Sequence, residues 1–184
     1  APDSSGGRAM PVHRTAAYLF KNTDHAADLF ALRQPGHIYT RLGNPTQEVL
    51  ETRLAALEGG KAALALASGT AAIHYTVINI CRQGDELVSS STIYGGTHTM
   101  FASILSEAGI TTRFVDIHDP EAVRAAINKR TRLIYTAVIG NPALDVANIE
   151  TLAALAREYH LPLVVDATFA TPYLFRPMEY GVDI

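Results

Sequence analysis

Along this chain, short continuous apolar runs alternate with segments in which apolar residues are spaced three and four positions apart. Short runs predict buried strands, and the wider spacing predicts helices with one apolar face. The predicted strands cover residues 62–67, 87–88, 113–115, 133–135 and the surroundings of Val165. The predicted helices cover residues 24–32, 45–58, 97–108, 120–127 and 149–159, and a further helix after Ser68-Gly69-Thr70 runs through Ile73, Val77 and Ile80. Alternating strands and helices are typical of βαβ units, so we expect an α/β fold with a mostly parallel sheet and helices on both faces.

The most informative strand is the run Leu161-Pro162-Leu163-Val164-Val165-Asp166-Ala167-Thr168, in which apolar residues lead directly into a carboxylate and a hydroxyl. A continuous apolar run of this kind predicts a buried strand of a parallel sheet. Ligands of open α/β sheets bind outside the carboxyl ends of the strands, so Asp166 is a candidate ligand-binding residue. The alternative is that Asp166 caps the next turn or pairs with an arginine, and its position alone does not decide between the two.

The segment Ser68-Gly69-Thr70 lies at a predicted junction between a strand and a helix. Free N–H groups at a helix start attract anions such as phosphate, and glycine lets the backbone approach a ligand closely. The signal is weak by itself because serine is also a common N-cap. The chain has no G-x-G-x-x-G and no G-K-[ST] motif, which disfavours a dinucleotide or P-loop site.

The helix that begins at Pro45 carries clear end signals. Asn44 is a good N-cap, proline suits the first helical position, and Gly59-Gly60 supplies the stop. Leu50, Leu54 and Leu57 mark one face of this helix.

Four further residues are candidates for ligand contacts, each with an ordinary structural alternative. Arg41 beside Tyr39 suits a phosphate, although a solvated arginine next to a packed tyrosine is the commoner arrangement. Tyr94, next to a glycine pair, is either a stacking platform for a ring or part of the core. Asn141, before Pro142, is either a turn former or a ligand donor.

Composition narrows the function classes. With 15 Lys and Arg against 18 Asp and Glu, the charge of −3 gives no reason to propose nucleic acid or an anionic membrane as a partner. No apolar run reaches the length of a membrane span, and residues 1–8 lack the apolar stretch of a secretory signal. The seven histidines show no ligand-like spacing, so we expect no metal site. The single cysteine, Cys81, follows an apolar run and is expected to be buried in a reducing, cytoplasmic compartment.

Taken together, a helix start and an arginine for a phosphate, an aromatic for a ring and a carboxylate for a ring cation suggest pyridoxal 5'-phosphate. An aspartate facing the pyridine nitrogen keeps the ring protonated and makes it an electron sink.

At these residues the chain resembles the amino-terminal part of the Cys/Met-metabolism family of pyridoxal-phosphate enzymes. The resemblance implies the large domain of the type I, aspartate-aminotransferase-like fold, and within the family it is strongest to O-acetylhomoserine sulfhydrylases. The matching segments occur in family order at residues 39–46, 57–60, 67–72, 94–97, 139–146 and 164–174.

The resemblance implies a role for each candidate residue. Ser68, Gly69 and Thr70 would hold the cofactor phosphate. Asp166 would pair with the pyridinium, with Thr168 close to the cofactor.

Three implied roles concern the rest of the site. Tyr94 would stack on the ring and assist the leaving group, and Asn141 would lie near the ring oxygen. Tyr39 and Arg41 would reach the phosphate of a neighbouring subunit, which implies a homo-oligomer built as a dimer of dimers.

Two positions depart from the family pattern. Ala167 stands where the family usually has asparagine, which weakens a supporting contact and leaves the carboxylate in place. Gly96 stands where methionine γ-lyases often have cysteine, which favours a sulfhydrylase over a lyase.

The resemblance also implies a domain division, with an intersubunit arm over residues 1–45 and the amino-terminal portion of the cofactor-binding domain over 46–184. Residues 180–184 look like the start of another strand, so we expect a fragment or one piece of a divided protein. In the family, the lysine that binds the cofactor covalently follows in a Ser-x-Thr-Lys motif after the position of Ile184. Lys21, Lys61 and Lys129 lie in other contexts. A separate chain carrying the carboxy-terminal half is a further expected partner.

The activity implied is γ-replacement in methionine biosynthesis, in which O-acetyl-L-homoserine and sulfide or a thiol give L-homocysteine or methionine and acetate. The alternatives within the family are cystathionine γ-synthase, cystathionine γ-lyase and methionine γ-lyase. An alternative from another class is a lysine-less module for cofactor holding or oligomerisation.

Overall fold

The computed structural model describes residues 6–184, which form parts of two compact units. One unit contains residues 1–56 and 61–65, and the other contains residues 57–60 and 66–184. The predicted division assigns an intersubunit role to residues 1–45 and cofactor binding to residues 46–184. The two compact units do not test these roles, so the division stays a prediction.

The first unit is built around two helices whose starts are fixed by asparagine caps. Helix α1 (Thr23–Phe30) begins where the Asn22 side chain accepts a hydrogen bond from the His25 N–H at 2.8 Å. Helix α2 (Pro45–Glu58), which extends into the second unit, begins where Asn44 Oδ1 accepts from the Thr46 N–H at 2.9 Å. Both predicted helices are confirmed, as is the cap at Asn44.

The leucine face of α2 differs from an ordinary apolar face. Leu50, Leu54 and Leu57 share one side of the helix, and all three are exposed. The helical spacing was therefore predicted correctly, while the described residues leave that face uncovered.

The second unit is organised on a four-stranded parallel sheet of order β2-β1-β3-β4. Its strands are β1 (Glu86–Ser90), β2 (Thr111–Val115), β3 (Thr131–Ala137) and β4 (Leu163–Asp166). The register pairs Ser90 with Val115 and Ala137 with Asp166, so the carboxyl ends lie at one edge of the sheet. The predicted parallel α/β architecture is confirmed.

Helices cover both faces of this sheet, as the alternating pattern predicted. The helices of the second unit, in chain order, are α3 (Gly69–Ile80), α4 (Gly95–Thr99), a π-helical turn (Met100–Ile104), α5 (Leu105–Glu107), α6 (Pro120–Ala126), α7 (Ile149–Glu158) and α8 (Thr171–Leu174). Two apolar cores result. Residues of α6 and α7 pack with Val88, Ile134 and Leu163 in one, and residues of α3, the π-helical turn and α5 pack with Leu87 and Leu133 in the other.

Three local predictions are corrected. Residues 62–67 are not a strand: they pair with no strand of the described sheet, Leu64 is 74% exposed, and the Ala65 N–H is taken by the Glu51 side chain at 2.8 Å. The Gly95-Gly96 pair is not a turn before a helix but the first turn of α4.

The third correction concerns residues 180–184. Pro177–Tyr180 is a 3₁₀ helix, and residues 182–184 are not assigned to a strand. Ile184 nevertheless accepts a backbone hydrogen bond from Val165 at 2.9 Å and donates one to Leu163 at 3.3 Å. These bonds satisfy backbone groups of β4 although residues 182–184 do not form a regular strand beside it.

Two further findings on residues 6–184 concern membrane-spanning helices and the single cysteine. None of their helices is long and apolar enough to cross a membrane. Cys81 is buried, and burial raises the pKa of its thiol to about 11. The thiol is therefore protonated at neutral pH, which fits packing rather than reactivity.

Glu86, at the start of β1, is the one carboxylate among the described side chains that the core encloses completely, at 1% exposure. It forms ion pairs with Arg113 and Arg130 and accepts a hydrogen bond from Asn128 at 2.7 Å. The hydrogen bond from Arg113 holds the pKa of Glu86 below its ordinary value against the opposing effect of burial. A charge enclosed in this way is tolerated because its oxygens are partnered.

We expect Glu86→Gln to lower the free energy of unfolding at pH 7 by about 1–3 kcal/mol, since two arginines and an amide lose their anionic partner. Because the folded pKa is lowered, the contribution of Glu86 is fully present above its unfolded pKa of about 4.3 and is lost as pH falls toward the folded pKa. Urea unfolding at pH 7 and near pH 3.5 should therefore show a smaller difference between variant and parent at the lower pH. The exposed Glu107→Gln is the control, and an equal effect from it would contradict the assignment.

Candidate functional site

A cavity of about 320 Å³ opens at the carboxyl edge of the parallel sheet. It lies among the ends of β3 and β4, the start of α3 and the start of α4, which is where open α/β sheets bind ligands. Six predicted site residues line it: Gly69, Thr70, Tyr94, Asn141, Asp166 and Thr168. Residues separated by almost a hundred positions are thus brought together by strand pairing.

The start of α3 presents backbone donors to this cavity. Ser68 is extended and its Oγ accepts from the Ala71 N–H at 3.1 Å, so it caps the helix. Ser68 is not among the residues that line the cavity, and its contact with the phosphate stays a prediction. Within the described chain, the N–H groups of Gly69 and Thr70 donate to no protein acceptor. A Cβ built on Gly69 would meet nothing within 4 Å, which leaves the approach to these donors open. Two free N–H groups at the positive end of a helix of 12 residues favour an anion.

Asp166 closes β4 at the other side of the cavity and is half-buried. Its Oδ1 accepts from the backbone N–H of Thr168 at 2.9 Å and from the Thr168 hydroxyl at 2.5 Å. These bonds fix the orientation of the carboxylate, and no ion pair with Asp166 occurs among residues 6–184. The alternative in which Asp166 pairs with an arginine is therefore excluded within the described chain, whereas its bonds to Thr168 are those of a local turn.

A buried tyrosine lies beneath this carboxylate. Tyr135 on β3 is fully enclosed, and its ring packs edge-to-face against Phe101 with centroids 4.9 Å apart. Burial raises the pKa of the Tyr135 hydroxyl above its ordinary value, and the nearby negative charge of Asp166 adds to the effect. The Tyr135 hydroxyl therefore stays neutral at physiological pH.

Tyr94 is 55% exposed and stands immediately before α4. A Cβ added at Gly96 would come within 2.6 Å of the Tyr94 ring, so the ring lies directly against the glycine backbone. Gly96 is thus required for the observed position of Tyr94 rather than for a turn.

Asn141 is half-buried in the loop after β3, and the peptide bond to Pro142 is cis. The loop is closed by hydrogen bonds between Gly140 N–H and Asp145 C=O at 2.8 Å and between Leu144 N–H and Gly140 C=O at 3.0 Å. Asn141 therefore forms part of a turn and lines the cavity, and its role as a ligand donor stays a prediction.

Tyr39 and Arg41 belong to the first unit and are not among the residues that line the cavity. The Arg41 guanidinium lies 5.3 Å from the centroid of the Tyr39 ring. Their predicted contact with the phosphate of a neighbouring subunit stays a prediction.

Sequence reasoning missed five residues that line the cavity: Ile73, Thr97, Ala137, Ile139 and Phe169. Thr97 is the most informative because it is completely buried, lines the cavity and has its hydroxyl next to that of Tyr135. Thr97 belongs to the 94–97 segment, so the motif pointed to it, but a lone threonine carries no chemical signal.

Comparisons with known proteins agree on one family. The model of the Cys/Met metabolism PLP-dependent enzyme family matches residues 1–184. The chain is 48% identical to O-acetyl-L-homoserine sulfhydrylase of Leptospira meyeri, over all of the chain and 42% of that protein. It is 42% identical to L-methionine gamma-lyase of Pseudomonas putida, over 99% of the chain and 46% of that protein.

A solved structure gives the same result. A candidate O-acetylhomoserine (thiol)-lyase of Campylobacter jejuni, which holds a pyridoxyl-lysine phosphate, matches with a TM-score of 0.96 and 38% identity. The match covers 99% of the chain and 45% of that structure. The chain therefore spans less than half the length of these relatives.

The cavity fits pyridoxal 5'-phosphate by its own chemistry. The N–H groups of Gly69 and Thr70, which donate to no acceptor among residues 6–184, suit a phosphate, and the Asp166 carboxylate, which has no ion pair there, suits a ring cation. Among residues 6–184 no three His, Cys, Asp or Glu side chains are placed to hold a metal ion.

Gly96→Ala should displace the Tyr94 ring, because its added methyl group would overlap that ring while leaving the backbone conformation allowed. We expect about a 3- to 10-fold loss of affinity for pyridoxal 5'-phosphate with a change in melting temperature below about 2 °C. Gly95→Ala is the matched control, since a Cβ there meets nothing within 4 Å. Absorbance titration with pyridoxal 5'-phosphate measures the affinity of each variant, and thermal unfolding measures its melting temperature. Equal losses of affinity in the two variants would contradict the role of Gly96.

Proposed function

Because the chain belongs to the Cys/Met metabolism family of PLP-dependent enzymes, we propose that it forms the cofactor-binding part of an enzyme of γ-replacement. The proposed reaction joins O-acetyl-L-homoserine and sulfide or a thiol to give L-homocysteine or methionine and acetate. The observation that carries the proposal is the cavity itself, where a carboxylate and a free helix start face a common space.

In this proposal, each of the following residues has a role in binding the cofactor. The N–H groups of Gly69 and Thr70 would bind the phosphate, and the capping bond from Ala71 to Ser68 keeps that helix start in place. Asp166, oriented by Thr168, would hold a proton on the ring nitrogen. When bound, pyridoxal 5'-phosphate supplies the electron-accepting ring on which such reactions depend.

Two further residues act at the sides of the cavity. The Tyr94 ring would stack on the ring of the cofactor, and its hydroxyl would assist departure of the acetate group. Asn141, on the loop after β3, would donate a hydrogen bond from its amide to the ring oxygen. Both residues line the same cavity as Asp166, which supports these roles.

The choice of substrate rests on relatives and on one residue. The Leptospira meyeri relative is named an O-acetyl-L-homoserine sulfhydrylase. Gly96, which accommodates the Tyr94 ring, leaves no side chain where methionine γ-lyases often have cysteine. Methionine γ-lyase activity is the second candidate, favoured by the 42% identity to the Pseudomonas putida enzyme.

We further propose that the protein is cytoplasmic and works as a homo-oligomer, a dimer of dimers. The exposed Tyr39 and Arg41 pair is available to reach the phosphate of a neighbouring subunit, as the family pattern implies. The covalent lysine would come from outside residues 1–184, either later in the same protein or in a separate chain.

Asp166→Asn should weaken binding of pyridoxal 5'-phosphate by about 10- to 100-fold, since a charge-assisted hydrogen bond to the ring nitrogen is worth about 1.5–3 kcal/mol. Asp119→Asn is the control because Asp119 caps α6 and does not line the cavity. Absorbance titration of parent and variants measures the affinities. Unchanged affinity in Asp166→Asn would contradict the assignment of Asp166.

Product analysis of the protein that contains this chain tests the reaction. Homocysteine should form from O-acetylhomoserine and sulfide at a kcat/KM at least about tenfold above that with O-succinylhomoserine, cystathionine or methionine. Release of methanethiol from methionine as the faster reaction would favour the lyase instead. Cofactor binding without turnover of any of the four substrates would favour a non-catalytic module.

A further inference from the structure

Outside the cavity, three side chains from three separate loops meet at one carboxylate oxygen. Asp145 Oδ2 accepts from the Thr92 hydroxyl at 2.8 Å and lies 2.8 Å from His118 Nε2. Thr92 follows β1, His118 follows β2, and Asp145 closes the loop after β3. We call these three residues the Asp145 cluster, and none of them lines the cavity.

The cluster joins the segments that carry two walls of the cavity. Thr92 stands two residues before Tyr94, and Asp145 stands four residues after Asn141. The hydrogen bond between Thr92 and Asp145 therefore links the Tyr94 segment to the Asn141 loop across 53 positions of sequence.

Close packing makes this link rigid. A Cβ added at Gly140 would lie 2.2 Å from Asp145 Oδ1 and 2.9 Å from the backbone oxygen of Thr92. The carboxylate thus fills the only space that a side chain at position 140 would need, and the Gly140 N–H holds the Asp145 carbonyl at 2.8 Å. A shift of one segment relative to the other would therefore disturb these contacts.

The pKa of Asp145 is consistent with the hydrogen bonds that its carboxylate accepts. Burial raises the pKa of Asp145, but hydrogen bonds from His118 and Thr92 outweigh this effect and leave the pKa below its ordinary value. The carboxylate is therefore ionised at neutral pH, and its bond to the Thr92 hydroxyl is charge-assisted and stronger than a neutral one.

We infer that the Asp145 cluster positions Tyr94 and Asn141 on the walls of the cavity, so that Thr92 and Asp145 set cofactor affinity without touching the cofactor. The inference rests on the proposed function only in naming pyridoxal 5'-phosphate as the ligand. Thr92, Asp145 and His118 are positioning residues in this scheme.

The test compares Thr92→Val, which removes the hydroxyl at nearly constant volume, with Thr92→Ser, which keeps it. Hydrogen exchange by mass spectrometry should show about tenfold faster exchange in both residues 91–96 and 139–146 of Thr92→Val, with the rest of the sheet unchanged. Affinity for pyridoxal 5'-phosphate should fall about tenfold in Thr92→Val and return to within about twofold of the parent in Thr92→Ser. Gly140→Ala, which displaces the Asp145 carboxylate by another route, should give the same pattern.

Glu158→Gln is the control because it removes an ion pair with Arg124 that lies away from the cavity. Exchange that increases in only one of the two segments, or affinity that Thr92→Val leaves unchanged, would overturn the inference. So would a fall in affinity that Thr92→Ser fails to reverse. If the parent itself fails to bind pyridoxal 5'-phosphate, the proposed function is wrong. The hydrogen-exchange result then tests the inference by itself: faster exchange in both segments of Thr92→Val supports coupling by the cluster, and faster exchange in only one segment overturns it.

Discussion

Parallel pairing of four strands is the constraint on which the rest of this structure depends. Parallel strands have all their carboxyl ends at one edge, so the register that pairs Ala137 with Asp166 also brings the loops after β1 and β3 to the same place. Both faces of the sheet are covered by helices, and the edge is therefore the exposed part where polar groups meet a ligand.

The two edges of the sheet each contain a carboxylate, and the two carboxylates differ in their charged partners. At the amino edge, Glu86 is enclosed, forms ion pairs with two arginines and accepts a hydrogen bond from an asparagine. At the carboxyl edge, Asp166 is oriented by Thr168 and has no cationic partner in the described chain. The first arrangement stabilises the fold, and the second leaves a negative charge available to a ligand cation.

Close approach between backbone and side chain shapes the cavity more than side-chain size does. The Tyr94 ring lies against Gly96, and the Asp145 carboxylate lies against Gly140. Each glycine is required because a neighbouring group occupies the space of its missing Cβ, not because of a special backbone angle. The geometry of the cavity walls therefore depends on contacts between segments that are remote in sequence.

The sequence alone determined the strands and helices that carry strong local signals. The asparagine cap of α2, the serine cap of α3 and the apolar run of β4 are local features, and the family motifs named Gly69, Thr70, Tyr94, Asn141, Asp166 and Thr168. The tertiary structure decided the matters that depend on a distant partner. Residues 62–67 have a strand-like pattern but pair with no strand among the described residues. Thr97 becomes informative only once it is buried beside the cavity, and Thr92, His118 and Asp145 meet only after three loops converge. A local pattern fixes backbone preference, whereas the partner of a hydrogen bond or of a strand is chosen by the packing of the whole chain.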